Sequence, residues 1–199
     1  MMNFCRTPVI LASASPRRKE LLEGLGLAFS CEPAGVKENL RPGEGPVEHA
    51  RRLAEEKGRE VAGRHPGATV ISADTVVVYR HHILGKPRDA ADAFRMLKML
   101  SGATHAVITA YALMNREEDI HVLDHTRSDV CFRTLTEAEI SAYIDSGAPM
   151  DKAGGYGIQD LKANFVSAVR GCFYNVIGFP VADLAEKWNT IFPLPEKNR

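Results

Sequence analysis

Several side chains in this sequence stand where local structure gives them no reason to be. Asp74 interrupts an apolar, β-branched run, between Val70-Ile71-Ser72-Ala73 and Val76-Val77-Val78. A carboxylate inside a strand costs desolvation free energy unless it is paired or meets a metal or a water-filled cleft. Burial also favours the protonated form, which suits a carboxylate to proton abstraction. The alternative is a structural Asp at a strand bend. Lys57 shares one helix face with Val47, Ala50, Ala54 and Val61, in the middle of the apolar stripe. It either snorkels from the stripe edge or aims a cation inward at a ligand. Arg17, Arg18 and Lys19 follow Ser13-Ala14-Ser15-Pro16 at the start of a helix. Cations there face the positive end of the dipole, at a cost of about 0.3–1 kcal/mol each. Free backbone N–H groups joined by guanidinium groups make an anion site, although the same residues also suit a solvated basic patch.

Lys86 lies in the turn Gly85-Lys86-Pro87, shortly after the strand that carries Asp74. The stretch Asp151-Lys152-Ala153-Gly154-Gly155-Tyr156-Gly157-Ile158-Gln159 has glycines that let backbone approach a ligand closely, with a lysine, a tyrosine and an amide among them. Cations gathered around one strand carboxylate suit a phosphate-rich ligand with a catalytic acid or metal-binding group. No GxxxxGK[ST] is present, and no GxGxxG follows a strand. His121 and His125 fall on an expected strand, where a four-residue spacing makes no metal face, and His81-His82 falls in a hairpin turn.

The elements that must position these residues follow from periodicity and punctuation. Pro8–Ala12 reads as a buried strand, and Pro16–Leu25 as a helix with Ser15 at its N-cap. Val47–Ala62 is a second helix, Ala68–Tyr79 a strand, and Ala90–Leu100 a helix capped by Asp89. His105–Met114 and Ile120–Phe132 form strands around a polar turn, and Thr136 with Glu139 makes a capping box for a helix to Ser146. Asp151–Gln159 is loop, Phe165–Val169 a strand, and Val181–Asn189 a closing helix. This order predicts an α/β (α+β) fold, a mixed central sheet flanked by helices, with residues 1–199 as one domain.

Formal charge balances, with 25 Lys and Arg against 25 Asp and Glu, so no overall field draws the chain to nucleic acid or membrane. Any anionic ligand must be held by local charge. The four cysteines are scattered and form no CxxC, as expected of reduced thiols in the cytoplasm. Neither a signal peptide nor a membrane-spanning run is visible.

The irregular positions coincide with recognisable motifs. Leu11–Arg18 (LASASPRR), Ala73–Val77 (ADTVV) with Gly85–Ala90 (GKPRDA), Leu100-Ser101-Gly102 with His105–Thr109, Asp151–Gln159 and Val176–Pro180 (VIGFP) resemble, in order, the signature blocks of the Maf family. The similarity runs from about Val9 to Leu184. It implies hydrolysis of a nucleoside triphosphate to the monophosphate and pyrophosphate, a divalent cation (Mg2+ or Mn2+), a cytoplasmic location and a homodimer. The fold it implies is related to that of inosine triphosphate pyrophosphatases, with a cleft between two lobes. Asp74 matches the family's proton acceptor, and Arg18, Lys57 and Lys86 match its phosphate-binding cations. Glu38 matches an acidic position that helps with metal or water. The triphosphate would lie across the Ser13–Arg18 turn, bringing Ser13 and Ser15 to the phosphates. Arg17, Thr75 and Gln159 match the branch acting on dTTP and UTP, as against the one acting on 7-methyl-GTP. A nucleotide-binding regulator of cell division with little turnover is the alternative from another class. Gly155, where Ala or Ser is common, departs from the family pattern.

Overall fold

The computed structural model describes Met2, Cys5 and residues 7–160 and 164–193. Its centre is a seven-stranded mixed sheet. The strands are β1 (Val9–Leu11), β2 (Ser30–Cys31), β3 (Thr69–Tyr79), β4 (His82–Leu84), β5 (Thr104–Asn115), β6 (Ile120–Phe132) and β7 (Val166–Arg170). They are ordered β2-β1-β3-β5-β6-β7, with β4 added to β3. β1 pairs in parallel with β2 and β3, and every other pairing is antiparallel. The helices are α1 (Pro16–Gly24), α2 (Pro46–Arg64), α3 (Ala90–Leu100), α4 (Glu137–Asp145), α5 (Phe173–Ile177) and α6 (Val181–Ile191).

The long β3 organises the molecule because successive side chains point to opposite faces. Val70 and Val76 lie against α2, where Ala50, Ala54 and Val61 form the apolar stripe expected from the sequence. Gly58 lets α2 approach closely, since a Cβ there would stand 2.7 Å from Ser72 Oγ and 3.0 Å from Met114 Sδ. On the other face the core is divided. Ile71 and Ala73 join Leu22 of α1 and Leu184 and Trp188 of α6. Val77 joins Leu97 and Leu100 of α3 and Ile140 and Tyr143 of α4. These two clusters are the interiors of two lobes.

Between the lobes the sheet has a gap. β1 accompanies β3 only as far as Ile71, and β4 takes up pairing again at Val77. Among the described residues, no strand covers that edge over 72–76. Side chains from both faces of the strand, Asp74 and Thr75 among them, therefore reach the same opening.

Several short elements differ from the sequence reading, among them β4, which begins at His82, a residue expected in the hairpin turn. β2 has only two residues, both exposed, and exists through its pairing with β1. α5 is one short turn held by Asn175, whose side chain accepts from Thr109 N–H at 3.1 Å and donates to Val107 O at 3.0 Å and Ser128 Oγ at 2.9 Å. The glycine-rich segment is not plain loop: Ala148–Asp151 and Ala153–Gly155 are 3-10 turns.

Candidate active site

A cleft of about 740 Å³ opens at the gap in the sheet edge. All ten residues singled out from the sequence line it: Ser13, Ser15, Arg17, Arg18, Glu38, Lys57, Asp74, Thr75, Lys86 and Gln159. Lys57 and Asp74 meet because α2 lies on β3 with Lys57 one turn past Ala54, whose carbonyl accepts from Ser72 Oγ at 2.6 Å. Lys57 Nζ donates to Asp74 Oδ1 at 2.7 Å and to Glu38 Oε1 at 2.5 Å. Lys57 and Asp74 are buried, while Glu38 leans in from an exposed loop. Burial acts to raise the Glu38 pKa, but the Lys57 hydrogen bond and charge, with Lys86 and Arg18 behind it, hold it below the ordinary value. The inward-aimed cation, not the snorkelling one, is what the structure contains.

Arg18 is aimed by three acceptors from three parts of the chain. Its Nε donates to Gly178 O at 3.0 Å, and its terminal nitrogens donate to Ser13 Oγ at 3.3 Å and Thr75 Oγ1 at 3.1 Å. Burial pushes its pKa down from the ordinary arginine value, and the charges of Asp74 and Glu38 oppose that. Thr75 Oγ1 also lies 3.0 Å from Thr109 Oγ1, so its hydroxyl joins the guanidinium to β5. Ser15 caps α1, its Oγ accepting from Arg18 N–H at 3.4 Å. Arg17 reaches across the cleft to Asp151 Oδ2 at 2.9 Å.

Lys152 is a cation of the cleft that the sequence reading saw only as part of a glycine-rich loop. Its ammonium donates to Ala148 O at 2.6 Å and Asp151 Oδ1 at 2.8 Å. Asn175 was not singled out either; it holds α5 and hence the Gly178 carbonyl. Its proximity to the VIGFP block was the only signal. Gly154 and Gly155 have φ of +69° and +74°. A Cβ on Gly154 would stand 3.0 Å from Val77 Cγ1, and one on Gly155 3.2 Å from Pro87 Cγ. The second glycine therefore has a local reason in this chain.

Among the described residues, no group of three or more His, Cys, Asp or Glu side chains could hold a metal. Glu38 and Asp74, joined on one ammonium, are instead a pair of neighbouring carboxylates lining the cleft. Two carboxylates side by side fit a divalent cation of the kind that completes its shell with substrate phosphate and water.

A mixed sheet with a cation-lined cleft at its broken edge defines a protein built to hold a polyanion beside a carboxylate. The family model of the Maf-like protein matches residues 8–190, and the chain belongs to that family. It is 44% identical over 183 residues to the dTTP/UTP pyrophosphatase of Geobacter sp. (strain M21), covering 92% of this chain and 95% of that protein. It is 47% identical over 174 residues to the dTTP/UTP pyrophosphatase of Koribacter versatilis (strain Ellin345), covering 87% and 89%. Among the described residues, no helix is long and apolar enough to cross a membrane.

Proposed function

We propose that this chain hydrolyses the α–β phosphoanhydride bond of dTTP and UTP, releasing the nucleoside monophosphate and pyrophosphate. The observation that carries the reading is the buried Lys57–Asp74 ion pair, extended to Glu38, in a cation-lined cleft. The names of the relatives support the substrate class, as do Arg17, Thr75 and Gln159.

The triphosphate lies across the Ser13–Arg18 turn at the N-terminal end of α1, where Ser13 and Ser15 line the cleft. Arg18, Lys57 and Lys86 neutralise its charge. Glu38 and Asp74 would hold a divalent cation, which supplies charge neutralisation to the phosphates and to the departing pyrophosphate. Asp74 orients a water molecule toward the α-phosphorus and takes its proton. Lys57 holds the Asp74 carboxylate in place before the water arrives. Gln159, with a donor and an acceptor on one amide, matches the donor–acceptor edge of uracil or thymine. Arg17 lines the same cleft and is held by Asp151.

Asp74→Asn keeps the shape of the site and leaves Lys57 paired with Glu38. Its kcat on dTTP should fall by about 10²–10⁴-fold, the usual contribution of a positioned base, with the thermal unfolding midpoint near that of the parent. Pyrophosphate release from a panel of dTTP, UTP, CTP, GTP, ATP and 7-methyl-GTP with Mg2+ or Mn2+ tests the substrate. Preference for the two uracil-like bases is expected. Full activity in the Asp74 variant would sink the base assignment, and preference for 7-methyl-GTP or no release at all would sink the proposed reaction.

A further inference from the structure

Tyr143 lies on α4, outside the motif blocks and outside the lining of the cleft. Its ring is buried, edge-on to Phe165 with centroids 5.0 Å apart. Its hydroxyl does something that packing does not require. It accepts from Gly157 N–H at 3.2 Å and donates to Asp160 Oδ2. Gly157 and Asp160 are the two ends of one tight turn, closed by Asp160 N–H to Gly157 O at 3.1 Å. Gln159 is the third residue of that turn, so one phenol hydroxyl pins both ends of the segment that presents the amide to the cleft.

The turn is also held from its other side. Lys152 Nζ lies 3.7 Å from Asp160 Oδ2. A Cβ on Gly157 would stand 2.7 Å from Lys152 Cε and 2.8 Å from Asp160 Oδ2, so the lysine stem fills the space a side chain would need. Lys152 in turn shares Asp151 with Arg17. A continuous polar chain thus runs from Arg17 through Asp151, Lys152 and Asp160 to Tyr143, around the residues between them. We infer that Tyr143 is a positioning residue for base recognition, fixing the Gly157–Asp160 turn so that Gln159 meets the pyrimidine edge at a set place. This rests on the reading of Gln159 as the base-contacting group.

Among the described residues no hydrogen bond or ion pair joins the turn to Arg18, Lys57 or Lys86, so its loosening should weaken recognition of the base and leave the chemical step alone. Tyr143→Phe retains the ring and its contact with Phe165. Its KM for dTTP and UTP should rise about five- to tenfold with kcat within about twofold, and the preference for dTTP over dCTP should shrink by a similar factor. The deciding measurement is a double-mutant cycle with Gln159→Ala. If Tyr143 acts through Gln159, Tyr143→Phe changes KM by less than about twofold once Gln159 is gone. Equal effects in both backgrounds, or a fall in kcat with KM unchanged, would overturn the positioning role. Gln159→Ala without any effect on base preference would overturn the base reading itself, and with it this proposal. Gln159→Ala with an effect that Tyr143→Phe lacks overturns the positioning role alone. Should Tyr143→Phe not fold, Asp160→Ala, on the partly exposed end of the same turn, enters the cycle in its place.

Discussion

Lys57 satisfies two carboxylates with one ammonium, and its role in stability can be separated from its role in turnover. Lys57 and Asp74 side chains are only 10% and 9% exposed, so removing the cation strands a buried charge. Breaking such a pair from one side costs about 3–5 kcal/mol. Lys57→Met, which keeps the stem, should therefore lower stability by about 3 kcal/mol in urea denaturation and abolish most activity. Adding Asp74→Asn should restore most of the stability and none of the activity. If the single variant were as stable as the parent, the ion pair would not be the buried partner that Asp74 needs. At this scale much was legible in the sequence. Asp74 broke a strand's apolar run and Lys57 broke a helix's apolar stripe, and each anomaly was visible alone. Their meeting was not, because it depends on how deeply α2 settles on β3. Nor was Thr75's service to Arg18, since a hydroxyl beside the reactive carboxylate gives no sign of which way it turns.

Gly58 shows what a helix owes to its neighbours. On an isolated helix, Gly→Ala is stabilising by about 1 kcal/mol. Here the added methyl would press on Ser72 Oγ, which cannot simply swing away because it is bonded to the Ala54 carbonyl. Overpacking of this kind costs about 1–3 kcal/mol, so Gly58→Ala should be net destabilising by about 1 kcal/mol. Because Lys57 adjoins it, the shift of α2 should also reduce kcat/KM several-fold. A more stable, fully active variant would mean that α2 does not depend on that close approach. Long elements with strong periodicity were read correctly, α2, β3, β5 and β6 among them. Among short ones β1 and β7 were read too, but others were not. β2 is two exposed residues recruited by β1, and α5 is a turn held by the Asn175 side chain, so neither has a pattern of its own to read. The glycine-rich segment looked like open loop because glycine permits many conformations, and only its neighbours Val77 and Pro87 select the left-handed turns it adopts.

The fold as a whole divides its core on one sheet face, and one buried group of the α3–α4 lobe makes stability depend on pH. Burial pulls His105 down from 6.5 to about 4, with Asp129 opposing it. Its Nε2 lies 2.7 Å from the Tyr156 hydroxyl, and its Nδ1 has no partner. Between those two values the unfolded chain binds a proton that the folded chain does not. Stability is therefore fully present above pH 6.5 and falls as pH drops through this window. From pH 7 to pH 5 the loss from this one group is about 2 kcal/mol. Urea unfolding at the two pH values should show it in the parent and a correspondingly smaller loss in His105→Phe. An equal loss in both would place the acid sensitivity elsewhere. Further down, Glu139, held at about 2 by Arg133 and the Thr136 cap, adds a contribution present above the ordinary glutamate value and lost as pH falls toward 2. The two-lobed architecture was legible through the family motifs. The physical origin of the cleft, a stretch of β3 that neither β1 nor β4 covers, depends on where neighbouring strands stop, which residue patterns leave open by a residue or two.

The carbonyl that aims Arg18 belongs to Gly178, 160 residues further along the chain. A nascent polypeptide therefore carries its serines, its cations and Asp74 long before it owns a cradle for them. Until Gly178 has been made and folded back, the Arg18 guanidinium lacks the acceptor for its Nε.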